Sequence, residues 1–248
     1  MVNLRTHLRR YYRWLRGRSE ISSQHKLIDD GDAMLAQELR NAWKDPQLPG
    51  AQREIAGKEL ASLRRGQSVR VFQVLAEAIR EAGCGREPLL EVGCASGYYA
   101  EALEILLGHS VRYVGCDYSS AMIAKAHELY PRHGFIVGDA AALPFRDEAC
   151  PLLISGGVML HVPEYERVVE ESARVSQQWV VFHRTPVCHG STRRYTKLAY
   201  GVRCVEIWFG EAELQVLLAR AGLIVHREWL IGESDECQSK TILCRKRT

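Results

Sequence analysis

No stretch of this sequence comes near the roughly 20 consecutive apolar residues that a membrane-spanning helix needs; runs such as residues 150–154 are far shorter. There is no CxxC pair and no dense Cys/His cluster, so no zinc site is expected and no metal is assigned. Internal repeats and low-complexity tracts are also missing. Charge of one sign is not in excess either: 33 Lys plus Arg against 30 Asp plus Glu leaves a net +3, too small a balance to make nucleic acid an expected partner. No secretory leader stands before the eight cysteines, so reduced thiols in a cytoplasmic protein are expected rather than a disulfide framework.

What is there is a chain of 248 residues, 46% hydrophobic and 25% charged. That length suits one domain with its own core, with room for a modest cap. The first 18 residues carry six arginines (Arg5, Arg9, Arg10, Arg13, Arg16 and Arg18) and no acid, beside an apolar stripe of Leu4, Leu8, Tyr11 and Leu15. This reads as a basic amphipathic helix. It leaves open packing on its own domain, contact with an anionic substrate or surface (peripheral membrane contact included), a frayed segment, and a transit peptide, the last only weakly signalled.

Residues 1–87 read as helical or irregular, with helical periodicity at 27–43 and 55–80 and a break at Asp45-Pro46 and Pro49-Gly50. From Pro88 the punctuation changes. Short apolar strand candidates at 89–92, 111–116, 135–137, 152–155 and 179–182 alternate with helix candidates at 96–107, 120–130 and 163–175. This alternation predicts an α/β, doubly wound, mostly parallel sheet. A helix at 211–220 and strands at 223–230 and 240–245, parted by a polar turn at 232–239, add a terminal antiparallel pair.

The sharpest local signal is Glu91-Val92-Gly93-Cys94-Ala95-Ser96-Gly97, where glycines follow an apolar strand and open a helix. A backbone of that kind admits a ligand close to a helix N-terminus. Asp117 closes the next strand 24 residues after Gly93, the spacing at which a carboxylate receives ribose hydroxyls in a nucleotide-binding α/β unit. A helix-capping role for Asp117 stays open beside it. The third strand ends in Gly138-Asp139-Ala140, so acids stand at two adjacent strand ends.

Together with Gly138-Asp139-Ala140-Ala141-Ala142-Leu143-Pro144-Phe145, these motifs resemble those of class I S-adenosylmethionine-dependent methyltransferases, over about residues 88–246. The resemblance implies a seven-stranded sheet and S-adenosyl-L-methionine as cofactor. It implies contacts to that cofactor from Glu91, Gly93, Cys94, Ala95, Gly97, Asp117, Tyr118, Asp139, Ala140 and Ser155. Ala95 departs from the pattern, where glycine is frequent; right-handed backbone accepts alanine, so cofactor binding is still expected.

Methyl transfer rests on orientation and exclusion of water, with a general base useful for a hydroxyl acceptor. His161, after the fourth strand, is therefore the catalytic candidate, and His161, His183, Arg193 and Tyr195 are the acceptor-binding candidates. A structural hydrogen bond remains the alternative for His161. The implied activity is methylation of a small metabolite, oxygen slightly preferred, with RNA or protein methylation and a binding-only protein as the alternatives. The expected organisation is an N-terminal helical extension or substrate cap at 1–87 and a catalytic domain at 88–248, with 185–209 as a cap insertion. Monomer and homodimer stand equal.

Overall fold

The computed structural model describes residues 22–28, 33–234 and 236–247; the arginine-rich segment at 1–18 lies outside them. The chain runs β1 (Ser22–Ile28), α1 (Ala33–Asn41), a 3-10 turn (Ala42–Lys44), α2 (Leu48–Arg64), α3 (Arg70–Glu81), β2 (Leu89–Val92), α4 (Tyr98–Leu107), β3 (Tyr113–Asp117), α5 (Ser120–Leu129) and β4 (Gly134–Val137). It continues through β5 (Cys150–Gly156), a 3-10 turn (Met159–His161), α6 (Tyr165–Val175), β6 (Ser176–Cys188), β7 (Arg193–Ala199), β8 (Val202–Gly210), α7 (Glu211–Arg220), β9 (Leu223–Glu233) and β10 (Cys237–Lys246).

The doubly wound centre is as expected: β4, β3, β2, β5 and β6 lie side by side in parallel, and β10 joins antiparallel between β6 and β9. The central strands β2 and β5, largely apolar and buried on both faces, make this arrangement, while β4 at the edge leaves Ile136 and Val137 exposed. The seven-stranded expectation is too small. Among the described residues the sheet holds ten strands, because β6 runs on to Cys188 and pairs beyond the end of β5 with β8 (Val187 with Phe209). The antiparallel partners β7 and β1 then follow.

Two further expectations are corrected. Residues 22–28 form an edge strand on β7, so the N-terminal section is not purely helical, and its first helix begins at Ala33 instead of 27. Leu27 and Ile28 read as part of a helical stripe only because the strand's partner, β7, is remote in sequence. Pro49-Gly50 is no break either: Pro49 sits in the first turn of α2, where a missing N–H costs nothing.

Two apolar layers flank the sheet. On one face α2, α3 and α4 bury Leu60, Phe72, Leu75, Ile79 and Tyr99 against Leu89, Ile154 and Val181. On the other, Val168 and Val169 of α6, Leu39 of α1 and Val205, Ile207 and Phe209 of β8 pack with Leu153 and Phe182. The helices before β2 thus share their core with the sheet, and strand ends, glycine loop and hairpin meet at the carboxyl edge.

Candidate cofactor and acceptor site

The loop after β2 is shaped by its own packing. Gly93 has φ +73, and a Cβ there would stand 2.5 Å from Val158 Cβ. Gly97, φ +76, would place one 2.7 Å from the Phe135 ring. Ala95 sits between them at φ +48. That corrects the right-handed expectation: alanine here is in the left-handed region, at a cost of about 1–2 kcal/mol. Cys94 is buried, and burial pushes its thiol well above the ordinary value, so it is a packed side chain. Ser96 donates to Gln52 Oε1 at 2.6 Å, tying the loop to α2.

Asp117 is held on both sides. Its Oδ2 accepts the Ala95 N–H at 2.7 Å and its Oδ1 the Ser119 N–H at 2.9 Å. Burial raises its pKa, and the two backbone hydrogen bonds oppose that shift. The capping role belongs to Ser119, whose side chain accepts from Met122 N at the start of α5. Glu91 lies beneath the loop, 2% exposed, with Oε2 accepting the Tyr113 hydroxyl. Burial pushes its carboxyl up to about 8; Tyr113 opposes the rise and the Asp117 charge adds to it.

At the β3 and β4 ends the N-terminal section intervenes. Asp139 Oδ1 accepts the Ala141 N–H at 2.8 Å and also takes Arg40 Nη2, while Arg40 Nη1 lies 3.3 Å from Glu164 Oε2. Tyr118 donates to Asn41 Oδ1 at 3.1 Å, with Lys44 Nζ 3.9 Å above its ring. Ala140 is buried. Ser155 is buried too, and its hydroxyl has no hydrogen-bond partner among the described residues.

The acceptor candidates divide. His161 donates from Nδ1 to the Val205 carbonyl at 2.7 Å and lies against Trp43, ring centroids 4.6 Å apart. Burial first, then the Lys197 charge, pushes its pKa down to about 3. The imidazole is therefore neutral, with the Nε2 lone pair outward from that bond. Lys197 pairs with Glu206, to which Trp208 Nε1 also donates at 2.7 Å. His183 is buried, bonded through Nδ1 to Thr241 Oγ1 at 2.8 Å. Arg193 and Tyr195 contact Trp208 on the hairpin, with Tyr195 also against His25.

Sequence reading did not single out Arg40, Trp43, Gln52 or Arg184. Arg184 carried a signal, a charge directly after the apolar run of β6 and beside His183. The other three belong to helices whose partners lie far along the chain, Arg40 and Asp139 being 99 positions apart. Among the described residues no group of three or more His, Cys, Asp or Glu is placed to hold a metal ion, and no helix is long and apolar enough to cross a membrane.

Residues 90–180 match the family described as a methyltransferase domain. An uncharacterized methyltransferase of Mycobacterium leprae is 36% identical over 91 residues, 36% of this chain and 33% of that protein. Demethylmenaquinone methyltransferase of Bacillus licheniformis is 34% identical over 89 residues, 35% of this chain and 38% of its own. The chain thus spans about a third of the length of these curated relatives. Magnesium protoporphyrin IX methyltransferase from Synechocystis, solved with bound S-adenosylhomocysteine, superposes with TM-score 0.61 at 13% identity, over 85% of this chain and 99% of its own. Over residues 90–180 the chain is thus similar to a methyltransferase domain, and its fold is that of solved S-adenosylmethionine-dependent methyltransferases. S-adenosyl-L-methionine is the cofactor of such a domain.

Proposed function

We propose that this protein transfers a methyl group from S-adenosyl-L-methionine to a small-molecule acceptor. The observation that carries the reading is Asp117: a half-buried carboxylate fixed by two backbone N–H groups at a strand end, beside a glycine loop opening a helix. Each of its oxygens keeps a lone pair for a ribose hydroxyl. Gly93, Cys94, Ala95 and Gly97 supply the backbone facing the methionine portion, Glu91 supports that loop, and Ser155 offers it an unpartnered hydroxyl. Tyr118, Asp139 and Ala140 flank the adenine, with Arg40 sharing Asp139.

When bound, the cofactor supplies an electrophilic methyl on a sulfonium, so the chain's task is to aim the acceptor and exclude water. His161 holds its own proton at Nδ1 against Val205 and presents Nε2 as an acceptor. It orients an acceptor hydroxyl or amine by hydrogen bonding; with its pKa near 3 it is a weak base at neutral pH. An oxygen acceptor stays the preferred class. Residues 1–87 and the 185–209 segment, which includes the β7–β8 hairpin, act as the cap over a catalytic domain at 88–248, with His183, Arg193 and Tyr195 on the acceptor side. The acceptor class follows relatives such as the demethylmenaquinone enzyme.

Titration calorimetry with S-adenosylmethionine and S-adenosylhomocysteine tests the reading. Saturable binding of both is expected, weakened about tenfold or more in Asp117→Asn, which keeps the shape and loses the charge. Folded wild-type protein that binds neither compound contradicts it.

A further inference from the structure

Past the end of β5, the backbone at Arg184 turns to φ +60, a strained conformation for a long side chain and one that recurs where a site needs it. A Cβ on Gly157 would stand 3.6 Å from Arg184 Cβ and Cδ. Gly157 adjoins Val158, which packs on Gly93, so the arginine stem lies alongside the loop that faces the methyl group. The residue is half-buried, and the groups acting on its charge are Tyr99, Tyr98, Tyr200 and Glu59.

Three of those four are phenols. Arg184 makes no ion pair among the described residues, unlike Arg40, Arg174 or Lys197, each of which has its carboxylate. Burial pushes the Glu59 carboxyl up, and Arg184 only partly offsets that. Nearby, His183 Nε2 is buried with no hydrogen-bond partner among the described residues, its ring 5.5 Å from that of Tyr99, whose hydroxyl the Arg184 guanidinium acts on. A partly desolvated guanidinium with Glu59 near it but no carboxylate within ion-pair distance among the described residues is costly to keep. Its planar fork matches a carboxylate or phosphate. Tyr200 and His161 both lie against Trp43, ring centroids 6.3 and 4.6 Å away, which adds an aromatic wall next to the cation.

We infer that the acceptor is anionic, and that Arg184 receives its carboxylate or phosphate group while Trp43 and Tyr200 cover its apolar body. This rests on the methyltransferase reading above and narrows its substrate class. Arg184 stands on β6, across β2 and β5 from the Asp117 and Asp139 strand ends, which places its charge at the end of the site away from the nucleoside.

The test uses the full chain, methyl-labelled S-adenosylmethionine and a small-metabolite extract divided by anion exchange into retained and unretained pools. Label is expected in the retained pool. Arg184→Gln should raise the amount of that pool needed for half-maximal labelling about tenfold or more, with S-adenosylhomocysteine affinity within about twofold of wild type; retained affinity also shows that the variant folds. Label confined to the unretained pool overturns the inference and leaves the methyltransferase reading standing. No label in either pool overturns both. If Arg184→Gln weakens S-adenosylhomocysteine but not methylthioadenosine, which lacks the amino-acid end, the guanidinium serves the cofactor's carboxylate and the inference fails.

Discussion

Ala95 shows how one residue can carry the strain of a site. Its left-handed backbone brings its N–H onto Asp117, so the strained residue also organises the carboxylate. Ala95→Gly should raise stability by about 0.5–1 kcal/mol, the relief being partly offset by the freer unfolded chain. A urea midpoint that rises at unchanged slope checks this; an unchanged or lower midpoint contradicts it. Glu91 makes a pH-dependent contribution of the opposite kind to an ordinary surface acid. Its folded pKa, about 8, exceeds the ordinary 4.5, so its favourable contribution is whole below pH 4.5 and is lost as pH rises toward 8. The slope reaches about 1.4 kcal/mol per pH unit. Glu91→Gln should flatten the stability profile across that window; parallel wild-type and variant profiles would show that the carboxyl is ionised in the folded protein. For His161 the shift is downward, to about 3. Single-turnover transfer should therefore show no histidine titration near neutrality, and His161→Gln should retain more activity than His161→Ala. A histidine-like ionisation lost in both variants would instead establish proton removal.

At the scale of elements, legibility followed locality. The 211–220 helix and the 89–92 strand stand where their sequence patterns place them, because the signals that define them lie inside each element or next to it. Strand β1 and the long β6 did not declare themselves: β1 exists through pairing with β7, and β6 outlasts its apolar run because β10 and β8 continue to pair it. The site divides the same way. Gly93, Gly97, Asp117 and Asp139 follow from motif and strand order, while Arg40, Trp43 and Arg184 needed the fold to bring them in. Helix α3 turns Leu75 and Ile79 into the core against the sheet, with Val71 half-buried. Phe72 on the same helix is 1% exposed and contacts the Tyr98 and Tyr99 rings. Phe72→Ala should cost about 3–5 kcal/mol, read as a fall in the thermal midpoint. A change near zero would show that α3 is not part of the cooperative core.

For the molecule as a whole, the N-terminal helices reach the β3 and β4 strand ends through Arg40 and Tyr118's partners, and the β7–β8 hairpin reaches His161 through Val205. Two sequence-distant sections therefore lean on one strand-end site, an arrangement suited to enclosing two reactants. Hydrogen exchange with S-adenosylhomocysteine should slow in 33–64 or 193–210, since ordering a cap protects its amides. Unchanged exchange in both, with binding demonstrated, would remove the cap role. The most direct measurement is single-turnover transfer of labelled methyl from S-adenosylmethionine, run in parallel on small metabolites, RNA and protein. The account predicts label on a small molecule, reduced in Asp117→Asn at subsaturating cofactor. Label on RNA or protein alone, or none at all from protein that binds the cofactor, would contradict it.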